Sequence, residues 1–207
     1  MHAPKLSLRP SVLVVPSWQT RRMDLPELTD LWPAVDPAFG NVTLRAFRPE
    51  DAPMAMELSR DPYVPAMGTL PLNAADDQAQ QWIHRQQTRH TAGTGFSFAI
   101  VDHTEGRCAG FTGLWVRELP AGRAKIGYGI APSCRGRHLA ADALRAVTSF
   151  AWTIPGLHRA ELYIEPWNTA SIRTAERAGY LREGLLRSYQ EIAGRRRDML
   201  LYSAVRN

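Results

Sequence analysis

Ser133-Cys134-Arg135-Gly136-Arg137-His138-Leu139-Ala140 joins two regular patterns of opposite kind. It follows a strand-like run, Ala124–Ala131, closed by Pro132, and leads straight into a helical pattern reaching about Trp152. Along that pattern Leu139, Ala143, Val147 and Phe150 share one face, while Asp142, Arg145 and Ser149 share the other. This is the arrangement of a helix with one buried stripe. A strand, a loop with arginines and a glycine, then a helix build an anion site for a physical reason. The first N–H groups of the helix lack intrahelical partners, and the helix dipole adds about half a positive charge at the same place. Gly136 lets the main chain come close to a phosphate, and Arg135 and Arg137 add charge.

The pattern extends outward on both sides. Upstream, Val42–Phe47 alternates as a strand, and Arg48-Pro49-Glu50-Asp51 opens a short helix to about Ser59. Asn73 is the expected N-cap of a helix carrying Trp82 and Ile83, with Asp76 at its N3 position. Phe96–Val101 and Ala109–Val116 flank the turn-rich Asp102–Arg107 as an antiparallel hairpin. Downstream come a strand at Ala160–Ile164 and a helix from the Asn168 cap to Gly179. A closing hairpin around Gly194 follows, with strands near Leu185–Ile192 and Met199–Val205. Strands and helices mixed in this order specify an α/β (α+β) domain. Six of the 15 prolines (Pro4, Pro10, Pro16, Pro26, Pro33 and Pro37) precede residue 42 and exclude long helices and central strands there. Residues 1–41 therefore read as a proline-rich irregular arm, which Trp18, Trp32 and Phe39 would hold against the body or a second subunit. Residues 42–207 read as the folded domain.

Composition narrows the function classes. The 207 residues, 44% hydrophobic and 22% charged, fit one globular domain. The aliphatic run Val12–Val15 stops at Pro16, too short for a membrane span or a signal-peptide core, so a soluble cytoplasmic chain is expected. Two cysteines without CxxC spacing and six histidines without an HExxH pattern argue against a disulfide scaffold and a metal site. A formal charge of +5 admits an anionic partner: nucleic acid, an acidic protein or a phosphate-rich cofactor. Cys134 borders the loop, but no aligned histidine and acid make it a nucleophile.

Arg135-Gly136-Arg137-His138-Leu139-Ala140 resembles the R/Q-x-x-G-x-G/A acetyl-CoA loop of the GNAT N-acetyltransferase superfamily, and Ile126–Pro132 resembles the family's fourth strand. Asn168-Thr169-Ala170-Ser171-Ile172-Arg173 and Ala178–Gly184 are similar to the N-x-x-S helix and the glycine–aromatic turn of the branch that acetylates N-termini of ribosomal proteins. The resemblance runs from about Val42 to Val205. It implies a GNAT acyl-CoA N-acyltransferase fold, with a mixed central sheet splayed between its fourth and fifth strands and flanked by helices. The implied reaction is direct transfer of an acetyl group from acetyl-CoA to a primary amine on a protein N-terminus, a lysine or a small molecule. An antibiotic- or drug-modifying acetyltransferase and a catalytically weak acyl-CoA-binding module share the same features, and the family also suggests a homodimer.

Site residues follow from the resemblance position by position. Arg135, Gly136, Arg137, His138, Leu139 and Ala140 would meet the CoA pyrophosphate, with His138 in place of the loop's inner glycine. Ile130 would offer its main-chain N–H to the thioester oxygen, and Asn168 and Ser171 would sit beside the cofactor. The glutamate that many relatives carry two residues before the Gly-Tyr pair is Lys125 here, and the tyrosine many use on the later helix is Ala175. Ser171 is then the expected partner of the leaving thiolate. Glu165, Gln190 and Glu191 are the candidates for the base, and only one of the adjacent pair Gln190–Glu191 can face the site. A metal is not implied. Arg195-Arg196-Arg197 reads as a solvated turn or as a contact for an acidic or RNA-associated substrate. A nucleic-acid partner is disfavoured, since no helix-turn-helix, RNP-type or zinc pattern is present.

Overall fold

The structure is a computed structural model, and it describes residues 31–206. The described residues form an eight-stranded sheet in the order β1-β2-β3-β4-β5-β6-β8-β7. The strands are β1 (Ala38–Phe39), β2 (Val42–Arg45), β3 (Gly95–Asp102), β4 (Cys108–Trp115), β5 (Arg123–Ile130), β6 (Arg159–Ile164), β7 (Leu181–Ile192) and β8 (Arg195–Val205). Five helices complete the fold: α1 (Ala52–Ser59), α2 (Tyr63–Met67), α3 (Asp76–Gln87), α4 (Leu139–Ala151) and α5 (Thr169–Arg177). Among them none is long and apolar enough to cross a membrane.

Side-chain alternation along β3 shows how the layers are arranged. Phe96 and Phe98 meet Phe150 of α4 edge-on, with ring centroids 4.9 and 5.4 Å apart. Ser97, pointing the other way, donates to Gln86 of α3 at 3.0 Å. Thus α4 covers one face of the sheet and α3, with α1 packed on it, covers the other. The stripe expected on α4 is the buried one: Leu139, Ala143, Val147 and Phe150 all lie in the core.

Every neighbouring pair of strands is antiparallel except β5–β6. Those two run parallel and pair only at Arg123↔Arg159, Ala124↔Ala160 and Lys125↔Glu161. Beyond Lys125 the strands part: β5 stays with β4 as far as Ile130, and β6 stays with β8 as far as Ile164. The expected splay is therefore present, and it opens toward the C-terminal ends of both strands.

Several boundaries differ from the sequence reading. The helix after Asn73 starts at Asp76, with Ala75 as its N-cap. Asn73 instead makes a left-handed turn at φ +51°, held by its N–H to Ser59 O and by the N–H of Ala74 to Ser59 Oγ, and the Gln78 side chain accepts from the Ala75 N–H. The segment after Arg48 divides into a 3-10 turn, Pro49–Asp51, and α1. Its Asp51 carboxylate receives both Arg45 and the Arg48 N–H, which turns the chain there. Residues 1–30 of the arm lie outside the described residues. Its last part is less irregular than expected, because Ala38–Phe39 pairs with Val42–Thr43. Trp32 lies against Phe98, with ring centroids 4.9 Å apart.

Candidate active site

Pro132 stops β5, a 3-10 turn spans Pro132–Cys134, and α4 begins at Leu139. Between them Gly136 (φ +81°) and His138 (φ +64°, ψ +6°) both take the left-handed conformation. Among the described residues the main-chain N–H groups of Gly136, Arg137, His138, Leu139 and Ala140 donate to no protein acceptor. Five such donors in a row at a helix start form a concave anion seat. They line a cavity of about 550 Å³.

The two loop arginines are held differently from the sequence expectation. Arg135 donates through Nε to Ile130 O at 3.0 Å and pairs with Asp61 at 2.5 Å. Arg137 pairs with the buried Asp102 at 2.9 Å and with Glu105. Both residues border the cavity, and the charge of each is already met in part by carboxylates. Arg135 in turn, with the Tyr63 N–H, holds the Asp61 carboxyl below the usual range, outweighing the upward push of burial. Arg173 and Arg177, one turn apart on α5, line the same cavity and have no carboxylate at ion-pair distance among the described residues.

A second cavity, of about 440 Å³, lies on the other side of the splay. Its walls include Trp82, Phe111, Trp115 and Tyr163. Five residues border both cavities: Tyr63, Val64, Tyr128, Asn168 and Ser171. The edge of β5 runs through this junction. Ala131 N–H donates to Ala109 O, so by antiparallel alternation Gly129 and Gly127 turn their main-chain groups to β4, and Ile130 and Tyr128 turn theirs into the gap. The bond from Arg135 to Ile130 O agrees with that direction.

Asn168 Oδ1 accepts from the Ser171 N–H at 3.0 Å and so sets the start of α5 and the place of Ser171. The Tyr128 hydroxyl reaches the Ser171 carbonyl at 3.5 Å, and burial raises its pKa above the ordinary value. Burial, with Glu165 close by, pushes the Tyr63 phenol up to about 12. Of the three base candidates, Glu165 is buried, 3.6 Å from Arg197 Nε, and lines neither cavity. Glu191 is exposed and faces Arg196 across the β7–β8 hairpin. Gln190 lines the second cavity. Within the basic run, Arg196 is tied to the Ser188 carbonyl at 2.6 Å and Arg197 turns toward Glu165.

The sequence matches the model of the acetyltransferase (GNAT) domain over residues 41–181. The chain belongs to the GNAT acetyltransferase family. Among its relatives the uncharacterized N-acetyltransferase p20 of Bacillus licheniformis is 28% identical over 165 residues, spanning 80% of this chain and 93% of p20. Mycobacterium smegmatis RimJ, solved in complex with CoA-disulfide, superimposes with a TM-score of 0.71 at 27% identity, over 84% of this chain and 88% of that one. RimL, a ribosomal L7/L12 alpha-N-protein acetyltransferase solved with coenzyme A, shares the fold with a TM-score of 0.67 at 18% identity, over 82% of this chain and 96% of that one.

Tyr63 and Tyr128, which border both cavities, escaped the sequence reading of this GNAT domain, and so did Arg173 and Arg177 of the first cavity and Arg89, which lines the second. Tyr128 stands inside the recognised Gly-Tyr-Gly strand, and the alternation along that strand was the signal available for it. Arg173 and Arg177, four apart on a capped helix, were a cationic stripe that could have been read. Tyr63 comes from a five-residue helix with no periodic signature, and Arg89 lies just past a helix end. Nothing local marked either one.

Proposed function

We propose that the protein transfers the acetyl group of acetyl-CoA directly to a primary amine. The observation that carries this reading is the junction itself, where an anion seat and an aromatic cavity meet between two strands that have parted. In this reading the N–H groups of Gly136–Ala140 hold the pyrophosphate of the substrate, and Arg173 and Arg177 supply the free cationic charge nearby. The catalytic unit spans residues 42–207, and the arm of residues 1–41 is an addition to it.

The amine nitrogen attacks the thioester carbonyl carbon and the C–S bond breaks. The amine loses a proton, and the sulfur leaves as a thiolate that takes one up. The Ile130 N–H, facing the gap, donates to the carbonyl oxygen as negative charge builds. Ser171, at the junction, is the proton source for the thiolate. In this reading the second cavity receives the amine acceptor; among the described residues no carboxylate lines it, so the proton of the amine leaves by water or past Gln190. An α-amine, with an ordinary pKa near 7.7–8.0, needs less help than a lysine near 10.4.

Calorimetry with acetyl-CoA, followed by release of free thiol over a panel of amines and peptides, tests the proposal. Acetyl-CoA binding and turnover on at least one amine are expected. Absence of acetyl-CoA binding would overturn the reading, and binding without turnover on any amine would make the protein an acyl-CoA-binding module. Ser171→Ala is expected to lower kcat about 10²-fold, the lower range for loss of a general acid, with the KM for acetyl-CoA little changed.

A further inference from the structure

Among the described residues the acceptor cavity is lined by two cations, Arg89 and Lys125, and by no aspartate or glutamate. That is an unexpected lining for a cavity that receives an amine, which in water is itself a cation. The two cations differ in how their charge is met. Lys125 stands 3.4 Å from Glu118, a carboxylate it shares with Arg123, and rests 4.8 Å from the centre of the Tyr163 ring. Arg89 has no carboxylate at ion-pair distance among the described residues. Its guanidinium carbon lies 5.0 Å from the centre of the Trp115 ring, and one N–H donates to Gln86 Oε1 at 2.8 Å. Its Nε is buried without an acceptor, and burial lowers its pKa.

The surroundings hold that guanidinium in place. Trp115 lies over Gly113 and Gly127, where a Cβ would come within 2.8 and 3.0 Å of the ring. Gln86 is fixed through two further bonds, as acceptor from Ser97 Oγ and as donor to Trp82 O. Arg89 follows the C-terminus of α3, where the helix dipole favours a cation. An oriented guanidinium with no carboxylate partner among the described residues, set against an apolar wall, keeps N–H donors to spare for an anion.

We infer that the acceptor is a primary amine that also carries a carboxylate, and that Arg89 binds this carboxylate. The inference rests on the acetyltransferase reading and names its substrate class. It also suits a cavity with no carboxylate among the described residues that line it. Arg89, with no carboxylate partner among the described residues, disfavours a positive charge on the incoming nitrogen, so the amine is drawn to its neutral, nucleophilic form while the carboxylate anchors the molecule.

Matched acceptors test it. One pair is 4-(aminomethyl)benzoate and its benzamide; the other is a dipeptide amide beginning with Glu and its Gln counterpart. Rates are compared per neutral amine. The carboxylate member of at least one pair is expected to have a kcat/KM about tenfold or more higher, because the amide leaves the guanidinium unpaired. The responding pair tells whether the carboxylate belongs to a small molecule or to a peptide. In Arg89→Met the preference should fall to about twofold or less, in Arg89→Lys it should persist in part, and the KM for acetyl-CoA should stay unchanged. Lys125→Gln should keep the preference, since Glu118 already meets that charge. Acetylation with equal or faster rates on both neutral partners would overturn the inference while leaving the acetyltransferase reading intact. The wild-type comparison decides this even if Arg89→Met fails to fold. Acetyl-CoA binding with no transfer to any amine would instead overturn the parent reading, and this inference with it.

Discussion

His138 holds the loop between β5 and α4 in a left-handed conformation that costs an L-residue about 1–2 kcal/mol, where the family's loop carries glycine. In the proposed function the loop acts through its main chain, and the five N–H groups without an acceptor among the described residues do not depend on the side chain at this position. Two consequences can be measured together. His138→Gly relieves the steric strain but loosens the unfolded chain, so the net gain in unfolding free energy should be about 0–1 kcal/mol. Its affinity for acetyl-CoA should stay within about threefold of wild type, which is below 1 kcal/mol. A loss of more than tenfold would mean that the imidazole itself touches the phosphates. The same logic separates Arg135 and Arg137 from Arg173 and Arg177. The first two are already occupied by Asp61, Asp102 and Glu105 and brace the loop, whereas the second two have charge to spare.

At the scale of elements, α5 connects stability to chemistry through one cap. Asn168 satisfies the N–H of Ser171, and both residues border both cavities. Asn168→Ala should cost about 1 kcal/mol, a fall in Tm of about 2–4 °C in a chain of this size. It should also lower kcat, because Ser171 loses its anchor. A thermal melt and a thiol-release assay on the same preparation check both, and a variant with the full melting cost but wild-type kcat would separate Ser171 from the reaction. This cap was legible in the sequence, as were α4, the β3–β4 hairpin and the loop, because each has a periodic stripe or a turn residue at the needed place. The first half of β7 was not. Leu181–Glu183 is exposed, and the register shifts between Arg182 and Gly184, so no two-residue alternation marks it as a strand. The Asn73 cap failed for a related reason: asparagine suits a left-handed turn as well as an N-cap, and Ser59 settled which. Within the site, the loop and Ser171 could be carried over by motif. Glu165 could not be judged, since its burial away from both cavities depends on Arg197, 32 positions along the chain.

The described residues are built on a sheet of two parts, β1–β5 and β6–β8–β7, joined along three parallel residue pairs and open beyond them. An opening there leaves the smaller part without the support of continuous strand pairing, so its own cross-ties matter. Arg159 of β6 is the main one. It bonds Glu161 through Nε at 2.6 Å and reaches Glu183 of β7, whose carboxylate also accepts from Ser203 Oγ of β8 at 2.6 Å. Three strands thus meet at one carboxylate. Arg159 and then Ser203 hold Glu183 at about 2, well below an ordinary glutamate near 4.3. A carboxyl depressed in the folded state adds stability that is complete above its unfolded pKa and is lost as pH falls through its folded one. The window here is from about 4.3 down to about 2. With a formal charge of +5 at pH 7, protonating carboxylates also adds self-repulsion in the same window. Urea unfolding of the wild type and of Glu183→Gln at pH 7, 4, 3 and 2 separates the two effects. The wild type should be the more stable at pH 7, and the difference should shrink through pH 3 and be largely gone at pH 2. General repulsion acts on both proteins alike and cannot close that gap, so a difference that stays constant to pH 2 would show that the Arg159–Glu183 tie does not hold the smaller part of the sheet.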